Sequence, residues 1–205
     1  MVPVGRARDQ NVAMDAICND LQDEHHALDD IVAAVPESSW DTSTPADGWT
    51  VRDQISHLWF FDQRAALALT DADGFAADTA WLMDAGGTDA SVAPGREMSA
   101  ADLLTAWRAD RHRLIDVART IDPSARIPWY GPAMAARSFI TARLMETWAH
   151  GQDVVDALRA ERPPTARLRH VAHIGVRARP FSYANRQMAL PDRDRSTSTG
   201  HRRGR

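Results

Sequence analysis

Arg143-Leu144-Met145-Glu146-Thr147-Trp148-Ala149-His150-Gly151-Gln152-Asp153 is the stretch on which the reading of this chain turns. It lies in a proline-free run from about Ala133 to Ala160. Phe139, Ile140, Leu144, Val154, Val155 and Leu158 recur there at helical spacing. Glu146 and His150 are four residues apart, so on a helix they stack on one face. At 100° per residue His150 falls inside the apolar arc and Glu146 at its edge. A carboxylate at such an edge wants a partner, because burying an unpaired charge is costly. A carboxylate oxygen and an imidazole nitrogen converging from one face can hold a divalent metal. Asp153, one turn further on, is a candidate to orient His150 from behind.

Working outward, three more long helices are expected. The first runs from about Val12 to Val35 and is stopped by Pro36. It carries His25 and His26, of which at most one can face the core; His25 is kept as a reserve ligand. The second opens at Thr50, with Asp53 completing a capping box, and continues to about Leu69. Its part from Ile55 to Phe61 is apolar almost all round, and His57 sits inside it. Trp40 and Trp49, in the connection before it, read as pins that hold a loop to the bundle. Residues 70–98 make a long connection with a short helix near Phe75–Met83, the kind of link that crosses back along a bundle. The third long helix is capped by Ser99 and Asp102 and ends at Asp122-Pro123. Ile127-Pro128-Trp129-Tyr130-Gly131-Pro132 is a rigid aromatic loop suited to one wall of a pocket. A shorter helix follows from Thr165 to about Ala178, then a turn at Arg179–Tyr183. No sheet is expected within residues 12–178. Residues 1–11 read as a flexible leader, 12–185 as the folded domain, and 186–205 as a disordered polar tail.

Composition bounds the functions. The 205 residues are 44% hydrophobic and 25% charged, ordinary for a soluble domain. A net charge of −4 makes no electrostatic case for nucleic acid or an anionic membrane. No apolar run approaches the roughly 20 residues that span a bilayer. Cys18 is the single cysteine, so no internal disulfide can form, and a cytoplasmic location is the simplest reading.

His57, Glu146 and His150 therefore stand on two helices, 89 residues separating His57 from Glu146. In a four-helix bundle, facing helices build metal sites in this way. A His/Glu/His set leaves coordination positions open, the pattern of a catalytic rather than a closed structural site.

Gly48-Trp49-Thr50-Val51-Arg52-Asp53-Gln54-Ile55-Ser56-His57-Leu58 and Glu146-Thr147-Trp148-Ala149-His150-Gly151-Gln152-Asp153 resemble the two signature regions of the DinB-like superfamily. The resemblance covers about residues 12–185 and is nearest to the actinobacterial branch that includes mycothiol-dependent maleylpyruvate isomerase. It implies an all-α domain, a four-helix bundle of up-down-down-up topology with short extra helices. It also implies a divalent metal, zinc first and nickel or another divalent ion as alternatives, held by His57, Glu146 and His150. Relatives of this type commonly carry a further C-terminal mixed domain, which makes a naturally short member or a truncated C-terminal domain the two readings of residues 186–205.

The function this implies is that of a metal-dependent enzyme, an isomerase or S-transferase that uses mycothiol on a small electrophile. Its partners are a small-molecule thiol and that electrophile, with monomer and homodimer both open. No catalytic residue beyond the metal ligands is assigned. Arg143, one turn before Glu146, could face the mouth of the site and hold a substrate carboxylate; the alternative is an arginine lying along the bundle surface. Two other functions compete. One is a metal-dependent hydrolase with Asp53 or Asp153 as base. The other is a non-catalytic metal- or ligand-binding bundle.

Overall fold

The computed structural model describes residues 4–191. Helices α1 (Val4–Ala33), α2 (Val51–Thr70), α3 (Ala72–Asp84), α4 (Ala93–Arg96), α5 (Ala100–Thr120), α6 (Ala136–Leu158) and α7 (Leu168–Asn185) follow one another. The four long ones, α1, α2, α5 and α6, form the bundle. Contact pairs give their directions. Met14, Ile17 and Leu21 share a cluster with Phe139, Ile140 and Leu144, and Leu28 shares the next with Val154, so α1 and α6 run parallel. Arg52 reaches the Met98 carbonyl and Asp62 meets Trp107, so α2 and α5 run parallel as well. Gln54 pairs with Asp153 and Asp62 with Arg143, which sets α2 against α6. The order is up-down-down-up, the topology expected. Two parallel neighbours in sequence need a return path, and residues 71–99 supply it.

The caps form where the sequence places them. Thr50 and Asp53 bond reciprocally at the start of α2, and Ser99 accepts from the Asp102 amide at the start of α5. The core divides into two apolar clusters. One lies around Leu21, Leu114 and Phe139, the other around Leu28, Ile55 and Trp107. Between them His25, Asp62, Arg111 and Arg143 are all buried. This polar layer at mid-bundle is what the site is built on.

The return path packs most closely on α2 at Ser56. The Ser56 hydroxyl donates to the Ser91 carbonyl at 2.9 Å and accepts from the Gly95 amide at 3.1 Å. A Cβ at Gly95 would lie 2.4 Å from Ser56 Cβ, both inside the protein. Gly95→Ala is therefore expected to destabilise the fold by about 1–3 kcal/mol, as overpacked sites do. At this chain length that is a fall of roughly 2–4 °C in Tm for each kcal/mol, read from a thermal melt. An unchanged melt would show that the segment has no need to sit this close.

Several expectations are corrected. α1 starts at Val4 rather than near Val12, because no proline interrupts Val4–Asn11 and the helix continues through Gly5. A two-residue antiparallel pair, β1 (Arg126–Ile127) with β2 (Met134–Ala135), and an isolated bridge between Ser43 and Thr50 stand where no sheet was expected. The first closes the proline-bounded loop 128–133 into a hairpin. α7 runs through Pro180 instead of turning at 179–183, since one proline deletes one donor and the rest of the ladder carries on. Of the expected tail, residues 192–205 lie outside the described residues. No described helix is long and apolar enough to cross a membrane.

Candidate metal centre

α2 presents Gln54, His57 and Phe61 at helical spacing, and α6 presents Arg143, Glu146, His150 and Asp153 opposite. One ligand atom from each of His57, Glu146 and His150 lies within 4.8 Å of the other two. The imidazole centroids are 4.4 Å apart, and His150 Nε2 is 3.3 Å from Glu146 Oε2. The site is set into the bundle: His57 is buried, and His150 and Glu146 are half-buried.

Each histidine is held from behind. His57 Nδ1 is 2.9 Å from Ser91 Oγ, on the return path between α3 and α4. His150 Nδ1 is 2.6 Å from Gln54 Oε1. Asp153 does not touch His150; it accepts from Gln54 Nε2 at 3.1 Å and acts on the histidine only through that amide. Trp49 is more than a loop pin. Its ring stacks on His150 at 5.9 Å and tilts over His57 at 5.1 Å, roofing the pair.

Electrostatics keep the set ready for a cation. Burial, with the charges of His150 and Arg143, pushes His57 down to about 3, so it stays neutral near pH 7. Burial works to raise the Glu146 carboxyl, but its bond to His150 and the Arg143 charge outweigh that and hold it below the usual carboxylate range. His150 faces an acceptor at each nitrogen, Gln54 Oε1 at one and Glu146 Oε2 at the other. A neutral ring carries one hydrogen and so leaves a lone pair facing one of these two oxygens. A cation between them removes that conflict, and the two imidazoles and one carboxylate are the donor set a zinc-like ion takes. The residues fit the metal.

A cavity of about 190 Å³ opens beside this set, lined by His57, Phe61, Trp129, Tyr130, Arg143 and Glu146 among others. The aromatic loop expected at a pocket wall stands there, with Trp129 against Phe75 and Phe139. Arg143 is not a surface residue. Its side chain is 3% exposed and donates through Nη2 and Nε to Asp62, which is fully buried. Its Nη1 has no partner among the described residues, and the residue lines the cavity. Asp62 also accepts from Trp107 Nε1. His25, the reserve ligand, is away from the site: its ring meets Trp107 edge-on and its Nε2 is 3.6 Å from Asp62. Asp53 is committed to the Thr50 cap and to Arg96. Gln54 could have been found in the sequence, one turn before His57. Ser91, in an irregular segment, carried no such signal.

His57 gives a pH dependence with a definite sign. Its pKa is lower in the folded state than the unfolded value near 6.5, so below that pH the unfolded chain binds more protons and stability falls. Between about pH 7 and 5 the loss from His57 is about 2 kcal/mol, and it continues toward pH 3. His25, lowered by burial and by the nearby Arg111 and Arg143 charges, adds in the same direction. Urea denaturation with chelator present should show it, and His57→Gln should flatten the slope by that amount. Parallel profiles for the two proteins would rule out a neutral buried His57.

A family profile described as the mycothiol maleylpyruvate isomerase N-terminal domain matches residues 21–155. Two uncharacterized proteins, one from each of two strains of Mycobacterium tuberculosis, are 44% identical over 174 residues, covering 84% of this chain and 68% of theirs. Among solved structures, that of the mycothiol-dependent maleylpyruvate isomerase matches with a TM-score of 0.56 at 14% identity. A histidine-to-alanine mutant of that enzyme matches with the same TM-score at 13%. These two matches cover 69% of this chain and 60% of the crystallised one, so the chain spans less than two thirds of that protein's length. Likeness at that identity speaks for the fold.

Proposed function

We propose, from the premise that this chain belongs to the mycothiol maleylpyruvate isomerase N-terminal domain family, that it is a thiol-dependent isomerase with a divalent metal at its site. His57, Glu146 and His150 would hold the ion, zinc or another divalent metal. When bound, such an ion lowers the pKa of a coordinated thiol or water so that the deprotonated form exists at neutral pH. The protein's own residues do the rest. Arg143, anchored by Asp62, lines the cavity and can hold a carboxylate of the electrophile. Phe61, Trp129 and Tyr130 give the cavity aromatic walls suited to a planar substrate. The chain offers no thiolate of its own, since Cys18 is buried in the core and burial pushes its thiol up to about 11. The nucleophilic sulfur must therefore come from a small molecule, and mycothiol is the thiol that family membership suggests.

The observation that carries this reading is the convergence of His57, Glu146 and His150 beside an aromatic cavity with an arginine in its wall. Hydrolysis is the weaker reading, because both carboxylates available as a base are taken, Asp53 by Arg96 and Asp153 by Gln54. The test is to load the protein with cobalt as a coloured substitute and titrate mycothiol. A sulfur-to-cobalt charge-transfer band is expected, together with thiol-dependent isomerisation of maleylpyruvate or a related unsaturated acid. Cobalt bound with a spectrum that no thiol perturbs would leave a metal-binding bundle and remove the isomerase.

A further inference from the structure

We infer that Gln54 and Ser91 are positioning residues that fix both site histidines in one protonation pattern, with Nδ1 carrying a hydrogen and Nε2 turned to the ion. The inference rests on the metal-site reading above and assigns roles to residues outside the ligand set. It follows from counting hydrogens along two chains of bonds.

The first chain runs through Gln54, whose side chain is buried. Asp153 is a carboxylate and can only accept, so the group 3.1 Å from it must be the Gln54 amide nitrogen. The second hydrogen of that nitrogen goes to Thr44 Oγ1 at 3.0 Å, and Thr44 spends its own hydrogen on the Trp49 carbonyl at 3.1 Å. The Gln54 oxygen is thereby left facing His150, and Nδ1 must donate to it. The second chain runs through Ser91. Its single hydrogen goes to the Thr88 carbonyl, so its oxygen can only accept from His57 Nδ1. In both rings Nε2 is the nitrogen left for a ligand bond. Metal-bound histidines are commonly oriented by such a bond from the other nitrogen.

The two clamps differ in what they stand on. Gln54 is on α2, one turn from His57, and its network joins α2, α6 and the loop that carries Trp49. Ser91 is held only by the return path, which Ser56 ties to α2. His57 therefore depends on a segment distant in sequence, while His150 is set by the bundle itself.

The test uses the full chain and zinc alone. Long-range nitrogen–proton NMR of the metal-free protein should show a protonated Nδ1 on both rings, and a bare Nδ1 on either overturns the inference without any variant. Ser91→Ala and Gln54→Met should each weaken zinc binding by about 10–100-fold in calorimetry. Ser91→Ala should also release His57 into a mixture of tautomers. Folded variants with wild-type zinc affinity would overturn the roles. Zinc uptake with a bare Nδ1 sinks the clamps alone. Protonated Nδ1 on both rings with no zinc uptake by the wild type sinks the metal reading, and with it the purpose given to the clamps.

Discussion

Glu146→Gln should weaken zinc binding by at least about 100-fold, more than the 10–100-fold that accompanies loss of a residue behind a ligand. Glutamine keeps the size and one weak acceptor oxygen but removes the only negative charge among the three converging ligands. The metal-free fold should survive. Glu146 is half-buried at the cavity, and its partner His150 is held independently by Gln54. Most of the stability of a bundle comes from its apolar faces. Thermal melts with chelator should therefore place the variant within about 1 kcal/mol of wild type, as for a partly exposed ion pair. Without chelator, zinc should raise the melting temperature of wild type and not of the variant, because binding to the native state alone is stabilising. Calorimetric titration at neutral pH decides the matter. Equal zinc affinity in the two proteins would show that Glu146 is not a ligand, and the enzyme reading would lose its central residue.

Asp62→Ala is expected to cost about 3–5 kcal/mol of folding stability, the range for breaking a buried ion pair from one side. Asp62 is fully buried and Arg143 nearly so, and each bond of their pair lies between two helices. Removing the carboxylate leaves the buried Arg143 guanidinium without its ion-pair partner and takes the acceptor from Trp107 Nε1. The loss corresponds to a fall of roughly 6–20 °C in Tm at this chain length. It also frees Arg143 from the cavity wall, so any carboxylate-bearing substrate should bind more weakly than zinc affinity alone would suggest. Asp62→Asn keeps one acceptor oxygen, enough for Arg143 or for Trp107 but not for both, and should recover part of the stability. A melt of Asp62→Ala indistinguishable from wild type would show that the pair contributes nothing, and that Arg143 is placed by packing alone.

The sequence by itself determined the class of the fold, since four long 3.6-residue patterns with caps at Thr50 and Ser99 leave few alternatives to a helical bundle. It also determined which helices could build a site. Glu146 and His150 share a face through spacing alone, and His57 stood out because a lone histidine in an apolar helix needs a partner. What reached through local pattern was legible; what rested on long-range partners was not. For Arg143 the sequence leaves two places open, the mouth of the site and the bundle surface, and only Asp62, 81 residues earlier, buries it. Asp153 sits at the right spacing to orient His150, but the amide of Gln54 occupies the space between them. Trp49 became the roof of the site only when the loop folded over both imidazoles. Ser91 gave no signal, because its segment has no period and its role is set by where Ser56 and Gly95 meet. Periodicity reports which way a side chain points from its own helix. Only the packed structure decides what it meets there, because hydrogen bonds and ion pairs are formed between elements whose distance in sequence carries no information about their distance in space.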